Sequence, residues 1–357
     1  MTPIAATTTI APGYVIPPII KGGWQLAGGH GPIDDAQALA DMRAFAAAGI
    51  TAFDCADIYT GVEARIGAFL RDWRSMPDAP RIRVHTKCVP DLAALPTLRA
   101  ADIDAIVHRS RARLGVDRLD LVQFHWWDYR IDGWLEAARR LAQLRDDGVI
   151  ECVGVTNVDR PRLAAMRDAG VPVVAHQLQY SILDRRPTHG MADDCRAHGI
   201  TMLCYGALAG GFLHERWLGV TDPAAAGLGA LENRSLVKYR LIIDEFGGWD
   251  AFQALLATVR DVAVRHDTTI GAVAIRWVLD QPGVGAAIVG ARHAGHLPAT
   301  LAAVALRLEP ADHARLAAAV AHAPGPAGDC YDLERIPGGR HAVIMKTNLN
   351  EDRGVLR

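Results

Sequence analysis

The sequence predicts a single-domain (β/α)8 barrel, and two features of the 357-residue chain support that prediction. First, eight short apolar segments alternate with amphipathic segments in units of roughly 30 to 40 residues. Second, five amphipathic segments end at a glycine, as helices commonly do, and a strand candidate begins soon afterwards. These glycines are Gly49, Gly115, Gly148, Gly170 and Gly199. An open doubly wound sheet would usually carry a G-x-G-x-x-G turn after its first strand, and the sequence holds only near misses. The closed barrel is therefore favoured.

The strand candidates are near-continuously apolar, as parallel strands covered on both faces usually are. In chain order they are Ile19–Gln25, Thr51–Ala56, Ile82–Cys88, Leu119–His125, Cys152–Thr156, Val173–Gln179, Thr201–Tyr205 and Gly285–Val289. Helix candidates occupy the intervals and the end of the barrel. They are Asp35–Ala48, Val62–Trp73, Ala101–Leu114, Gly133–Arg145, Arg160–Ala169, Met191–Ala197, Ala251–His266, Ile270–Asp280 and Pro310–Ala321.

Three segments interrupt the alternation. Residues 1–12 are rich in Thr and Ala and are predicted to be a loose extension before a barrel domain that spans residues 13–322. Gly206–Asp250, after the seventh strand, shows little periodicity and is predicted to be a long loop. Residues 323–357 are predicted to be a tail over the barrel mouth, near the substrate pocket. Long segments of this kind in a compact domain are usually functional or disordered.

Composition excludes several classes of protein. A formal net charge of -2 argues against a general nucleic-acid binder, which needs a concentrated basic face. No apolar run approaches the roughly 20 residues that span a bilayer. The six cysteines form no C-x-x-C pair, which favours a reducing compartment, and we expect a cytoplasmic protein. The histidines show no H-E-x-x-H or H-x-H spacing, so no metal site is expected. The oligomeric state stays open.

Polar residues end three neighbouring strand candidates. Asp54, Lys87 and His125 lie at the carboxyl ends of the second, third and fourth strands, and Tyr59 follows Asp54 by five residues. Active sites of (β/α)8 barrels are built at this end. Because an unpaired charge in an apolar environment costs on the order of several kcal/mol, Asp54 and Lys87 are expected to pair.

This grouping is expected to change the acidity of the phenol. A free tyrosine has a pKa of about 10, too high for efficient proton transfer near neutral pH. An ammonium about 4 Å away contributes roughly 4 kcal/mol at an effective dielectric constant of about 20, which is on the order of three pKa units. The Asp54 charge and desolvation would take back part of this effect. We therefore expect a tyrosine that gives its proton to a carbonyl oxygen, with His125 orienting that oxygen.

These residues belong to a longer pattern that resembles the aldo-keto reductases. The stretch from Gly49 to Tyr59, continued by Glu63, Gly67 and Leu70, resembles the pattern around the family's catalytic Asp and Tyr. The later blocks follow in the family's order. They are His85-Thr-Lys87, Gln123-Phe-His125-Trp126, Gly154-Val-Thr156-Asn157, His176-Gln177-Leu-Gln179-Tyr180 and Tyr205-Gly-Ala-Leu208-Ala-Gly210-Gly211. The resemblance covers about residues 22–320.

The resemblance implies an NAD(P)H-dependent oxidoreductase that acts on an aldehyde, ketone or sugar-like substrate. Tyr59 would be the general acid–base, Lys87 and Asp54 would tune it, and His125 would orient the substrate. Residues implied to bind the cofactor are Thr156, Asn157, Gln177, Tyr205, Gly206, Leu208, Gly210, Gly290, Arg292, His296 and Thr300. Trp24 and Trp126 would form walls of the substrate pocket. His296 and Thr300 stand where many relatives carry an Arg and an Asn for the 2′-phosphate and adenine. NADP(H) is nevertheless expected in preference to NAD(H).

Two other functions stay open at this point. Some proteins of this fold keep a bound nucleotide yet serve as regulatory subunits of membrane channels or other partners, with little turnover. An unrelated barrel enzyme, such as a lyase or a metal hydrolase, would bind a metal ion and no nicotinamide cofactor. The substrate and the direction of the reaction depend on the pocket loops, where sequence patterns are least informative.

Overall fold

The computed structural model describes residue 4, residues 6–290 and residues 293–349. Its strands are β1 (Thr8–Ala11), β2 (Tyr14–Ile16), β3 (Ile19–Gly22), β4 (Ala52–Asp54), β5 (Arg83–Cys88), β6 (Leu119–Phe124), β7 (Ile150–Thr156), β8 (Val173–Gln179), β9 (Thr201–Tyr205) and β10 (Val284–Gly290). Strands β3 to β10 pair in parallel in chain order, and β10 pairs with β3 to close the barrel. The predicted (β/α)8 barrel is confirmed.

Residues 8–11, which lie within the predicted loose extension, form a strand. Strands β1 and β2 form an antiparallel hairpin, and Tyr14 and Ile16 on it are buried against barrel residues such as Leu121. The Thr8 hydroxyl donates to the Gly285 carbonyl at 2.8 Å, near the start of β10. The hairpin therefore covers the end of the barrel at which the strands begin, and the opposite end is left for the site.

Helices surround the barrel and cover its apolar strands. They are α1 (Asp35–Ala47), α2 (Val62–Trp73), α3 (Ala100–Leu114), α4 (Trp134–Asp146), α5 (Arg160–Asp168), α6 (Met191–Ala197), α7 (Arg234–Phe246), α8 (Trp249–Arg265), α9 (Ile270–Leu279), α10 (Leu297–Ala305), α11 (Pro310–Val320) and α12 (Asp332–Arg335). Side-chain caps define several starts: the Asp34 carboxylate accepts from the Gln37 backbone N–H at α1, and Thr269 caps α9 in the same way. Among the described residues, no helix is long and apolar enough to cross a membrane.

The long connection after the seventh barrel strand is present, but it is not structureless. It contains α7, whose first turn is capped by the Asn233 side chain, accepting from the Leu236 N–H at 3.1 Å. Leu236, Tyr239 and Ile243 bury one face of this helix. In the sequence, Asn233 as a helix cap and the apolar residues that follow at intervals of three and four indicate this helix, although it was not predicted. Helix α10 was also not predicted.

The C-terminal tail is held against the barrel by buried charges. Glu334 on α12 accepts hydrogen bonds from the Arg186 guanidinium at 3.0 and 3.5 Å, and both side chains are almost completely buried. Arg335 donates to the backbone carbonyls of Asn157 and Trp126 at 2.7 and 2.9 Å. The described part of the tail, residues 323–349, therefore packs across the carboxyl ends of the barrel strands.

Candidate active site

One large cavity, of about 750 Å³, opens at the carboxyl ends of the barrel strands. Its walls come from strand ends, from the connection between β9 and α8, and from the tail. Its lining residues include Trp24, Asp54, Ile58, Tyr59, Lys87, Val89, His125, Trp127, Tyr331 and Met345. A cavity of this size at this end of the barrel suits a small-molecule site.

Asp54 and Lys87 form a buried ion pair at the floor of this cavity. Lys87 Nζ donates to both carboxylate oxygens of Asp54 at 2.8 Å and to the Cys55 carbonyl at 2.7 Å. Burial lowers the pKa of Lys87, but the Asp54 carboxylate reverses this, so the pKa lies above its ordinary value. Register explains the meeting: Asp54 ends β4, and Lys87 is the penultimate residue of the neighbouring strand β5.

Tyr59 lies above this ion pair. Its ring centroid is 5.0 Å from Lys87 Nζ and 5.1 Å from the Trp24 ring. Burial raises the pKa of Tyr59 above its ordinary value, and Asp54 adds to the rise, whereas Lys87 offsets only part of it. The expectation that Lys87 would lower the pKa was therefore wrong in its net direction, because desolvation of the phenolate outweighs the ammonium. Tyr59 is a protonated phenol at neutral pH.

His125 faces the same space from the end of β6. Its Nδ1 lies 3.2 Å from the Thr156 carbonyl, and because a carbonyl only accepts, Nδ1 carries the proton. Burial lowers the pKa of His125 to about 3, so the ring is neutral. Nε2 is buried and has no protein partner. Nε2 can therefore accept a hydrogen bond from a hydroxyl group of a small molecule in the cavity.

Four residues predicted to bind the cofactor lie beside Asp54 and His125 at the cavity wall: Thr156, Asn157, Gln177 and Tyr205. The Tyr205 hydroxyl donates to Asn157 Oδ1 at 2.8 Å, and Asn157, which has a φ of +58°, lines the cavity. Gln177 Nε2 donates to Asp54 Oδ1 at 2.6 Å. That amide nitrogen therefore also holds the ion pair in place, a role that the sequence did not indicate.

The glycine-rich loop after β9 brings backbone close to the cavity. Gly206 and Gly210 have φ values of +82° and +65°. A Cβ at Gly206 would clash with the Tyr239 side chain, and a Cβ at Gly210 would clash with Tyr239 and with the Ser235 carbonyl. These glycines therefore allow α7 to pack on the loop. Leu208 also lines the cavity.

Four residues are expected to lie near the cofactor phosphates or adenine, and three of them are among the described residues. Gly290, His296 and Thr300 line the cavity, and the Thr300 hydroxyl donates to the His296 carbonyl at 3.0 Å. A Cβ at Gly290 would clash with the Gln25 amide. Arg292 lies outside the described residues. Among the described residues, no group of three or more His, Cys, Asp or Glu side chains could bind a metal ion.

The two tryptophans after β6 differ in their contact with the cavity, and Trp126 departs from the expectation. Trp126 is fully buried, and its Nε1 donates to the carbonyls of Asp128 and Ile131, so it does not line the cavity. Trp127 lines the cavity, with its ring 4.5 Å from the His125 ring. Trp24 lines the cavity as expected. The assignment of Trp126 to the pocket wall is corrected to Trp127.

Several cavity residues were not identified from the sequence. Tyr331 in the tail packs edge-on against His125, with ring centroids 5.6 Å apart. Arg234 and Lys238 line the cavity from α7, and Met345 lines it from the tail. All four lie in segments for which no regular structure was predicted, and no motif in the sequence marks them.

The fold is a (β/α)8 barrel whose polar residues meet in one cavity at the carboxyl ends of its strands. Residues 18–321 match the model of the aldo/keto reductase family, so the chain belongs to that family.

Individual relatives are distant. Flagellar radial spoke protein 5 of Chlamydomonas reinhardtii is 27% identical over 259 residues, which cover 63% of this chain and 49% of that protein. The chain thus spans about half the length of this relative. The NADH-specific methylglyoxal reductase of Escherichia coli is 26% identical over 311 residues, which cover 82% of this chain and 90% of that enzyme. An aldo/keto reductase of Klebsiella pneumoniae, solved in complex with NADP and acetate, is similar with a TM-score of 0.64 at 22% identity, covering 88% of this chain and 94% of that one. This last likeness shows the fold.

Proposed function

We propose that the protein transfers a hydride between a nicotinamide cofactor and the carbonyl or alcohol carbon of a small aldehyde, ketone or sugar-like substrate, with Tyr59 as the general acid–base. The observation that carries the proposal is the meeting of Tyr59 with the buried Asp54–Lys87 pair and the unpartnered His125 Nε2 in one cavity. When bound, the cofactor supplies or accepts the hydride. The chain's own residues handle the proton.

In the reducing direction, the protonated Tyr59 donates its hydroxyl hydrogen to the substrate oxygen. Lys87 lies 5.0 Å from the phenol ring and stabilises the phenolate that remains, and Asp54 keeps Lys87 oriented by accepting two of its N–H bonds. His125 Nε2 accepts a hydrogen bond from a substrate hydroxyl and orients the molecule. General acid catalysis of this kind typically contributes about 10²- to 10⁴-fold to the rate.

The residues around the cavity fit an extended dinucleotide. Asn157 and Gln177 present side-chain amides suited to a carboxamide, and Tyr205 presents a ring at the same edge. Leu208 and the backbone of Gly206 and Gly210 provide a close approach suited to phosphate groups. We propose NADP(H) in preference to NAD(H). The Klebsiella structure with NADP supports this preference. Because the Escherichia coli relative is named as NADH-specific, both cofactors have to be tested.

The test measures oxidation of NADPH and of NADH against a panel of aldehydes, ketones and aldoses, and reduction of NADP+ and NAD+ with the matching alcohols. Tyr59→Phe keeps the ring and removes the acid, and we expect a loss of about 10²-fold or more in kcat. The matched control is Tyr14→Phe at the opposite end of the barrel, which should keep its activity. Full activity of Tyr59→Phe would show that the acid is assigned to the wrong residue.

A second candidate is a nucleotide-binding subunit with little turnover. This candidate is supported by the similarity to a relative that is named as a flagellar radial spoke protein. It predicts tight binding of NADPH, measured by quenching of tryptophan fluorescence, without turnover of any member of the panel. Turnover that depends on Tyr59 would exclude it.

A further inference from the structure

Two cationic side chains of α7 point into the catalytic end of the cavity. Arg234 and Lys238 are four residues apart, so they lie on the same face of the helix. Both line the cavity. Neither has a part in the proton transfer proposed above.

Arg234 approaches the wall that is formed by Trp24. Its guanidinium carbon lies 6.0 Å from the Trp24 ring, and that ring lies 5.1 Å from the Tyr59 ring. Nη2 donates to the Ile344 carbonyl at 2.6 Å. Among the described residues no carboxylate lies within ion-pairing distance of Arg234, and burial lowers its pKa with no acidic neighbour to oppose the effect. The positive charge of Arg234 is therefore not compensated by the described part of the chain.

Lys238 approaches the opposite wall, beside His125. Its Nζ lies 5.0 Å from the Tyr205 ring and 5.7 Å from the Tyr331 ring, and the Tyr331 ring lies 5.6 Å from the His125 ring. Glu334 is 3.8 Å from Nζ, but this carboxylate already accepts from Arg186 at 3.0 Å. Arg186 also pairs with Asp184 at 2.7 Å, so Arg186 and Lys238 share two carboxylates. The Lys238 ammonium lies at a longer distance from its carboxylate than Arg186 does, and it contacts aromatic faces by cation–π attraction.

The cations are separate from the stretch that suits cofactor phosphates. Ser235 and Tyr239 are the α7 residues that touch the glycine loop at Gly206 and Gly210. Arg234 and Lys238 each precede one of these residues, so they project about 100° away around the helix. Their contacts with Trp24 and Tyr331 place them on the side of Tyr59 and His125.

Arg234 therefore gives the catalytic end of the cavity an excess of positive charge. The carboxylates among the lining residues are Asp54 and Glu215. Lys87 neutralises Asp54, and Glu215 accepts the Ile270 backbone N–H at 2.6 Å, on the glycine-loop side. In a partly desolvated cavity such an excess attracts an anion more strongly than it would on an open surface.

We propose that Arg234 and Lys238 form an anion subsite that binds the carboxylate of an aldehyde or ketone substrate while Tyr59 donates a hydrogen bond to its carbonyl oxygen. This inference rests on the proposed function and names its substrate class: oxo acids, with a ring or apolar body that packs between Trp24, Trp127 and Tyr331. A planar guanidinium suits a carboxylate because it can donate two parallel N–H bonds.

The experiment compares two substrates of nearly equal size, 4-formylbenzoate and 4-formylbenzamide, which differ in one negative charge. We expect the wild-type kcat/KM for the benzoate to exceed that for the benzamide by about tenfold or more. In Arg234→Met and Lys238→Met this ratio should fall towards one, with most of the loss in the KM for the benzoate. Arg234→Lys keeps the charge and should recover part of the ratio, whereas the exposed Arg260→Met on α8 should leave it unchanged. The NADPH dissociation constant is measured for each variant by tryptophan fluorescence.

The possible results distinguish a failure of the anion subsite from a failure of the proposed reaction. If the wild-type protein reduces both aldehydes without preferring the benzoate, the subsite is absent and the proposed function stands. If the α7 variants weaken NADPH binding tenfold while the substrate ratio is unchanged, these cations bind the cofactor and the inference is overturned. If neither aldehyde is reduced, calorimetric titration of each into the NADP+ complex decides. Benzoate binding that depends on Arg234 supports the subsite even though the proposed reaction has failed, and its absence overturns both.

Discussion

Lys87 Nζ lies 2.8 Å from each carboxylate oxygen of Asp54, and the two side chains are only 6% and 5% exposed. Removing one partner of a buried ion pair destabilises the fold, because the other charge stays buried without compensation. Gln177 adds a further hydrogen bond to the same carboxylate. The ion pair therefore lies next to the Tyr59 phenol, and removing one of its partners should destabilise the fold.

Asp54→Asn tests that dependence. We expect the free energy of unfolding to fall by about 3–5 kcal/mol, because the Lys87 ammonium stays buried without its counter-ion. The control is Asp72→Asn, which breaks an exposed pair with Arg43 and should cost about 1 kcal/mol or less. Urea unfolding at pH 7 measures both. Equal losses in the two variants would contradict the importance given to burial.

The raised pKa of Tyr59 predicts opposite pH dependences for the two directions of the reaction. Because the phenol is protonated below its raised pKa, carbonyl reduction should have a nearly constant kcat/KM from about pH 6 to 9. Alcohol oxidation needs the phenolate, so its rate should rise about tenfold per pH unit over the same range. Initial rates in both directions test this. A reduction rate that falls above pH 7 would mean that Lys87 outweighs burial.

The two adjacent tryptophans should respond differently to truncation. Trp126→Ala removes a fully buried side chain and should destabilise the fold by about 3–5 kcal/mol. Trp127→Ala should raise the KM for the carbonyl substrate several-fold, with a smaller loss of stability, because Trp127 is half-buried at the cavity wall. Thermal unfolding and steady-state kinetics on both variants make the comparison. If Trp126→Ala raises KM at unchanged stability, the corrected assignment fails.

Three buried histidines predict sensitivity to acid. Burial lowers the pKa of His85 to about 4 and those of His125 and His176 to about 3. The unfolded chain titrates near pH 6.5, so it binds more protons than the folded chain as the pH falls below that value. The stability present above pH 6.5 should therefore decrease by up to about 1.4 kcal/mol per pH unit for each histidine.

The histidine prediction is checked by urea unfolding at pH 7, 6 and 5. His85→Leu should make the decrease shallower by about one proton, since His85 has no hydrogen-bond partner to lose. The exposed His108→Leu on α3 should leave the slope unchanged. A wild-type stability that is constant across this range would exclude the assigned shifts.

The positions of Trp127 and Tyr331, which the sequence did not predict, have a common physical origin. The alternation rule for strands places adjacent side chains on opposite faces, but β6 ends at Phe124, before Trp126 and Trp127. The direction of each ring was therefore decided by backbone beyond the strand. In the same way, Tyr331 reaches His125 through a tail with little regular structure. Such long-range contacts leave no periodic trace in the sequence.

By itself, the sequence determined the barrel and the position of Asp54, Lys87 and His125 at three consecutive strand ends. It could do so because apolar runs and glycine helix ends are local signals, and parallel strands bring their carboxyl ends together. The tertiary structure alone decided the net acidity of Tyr59, the choice of Trp127 over Trp126, and the approach of α7 and the tail. Each of these depends on burial and on contacts between distant segments, and neither quantity is a property of a short stretch of chain.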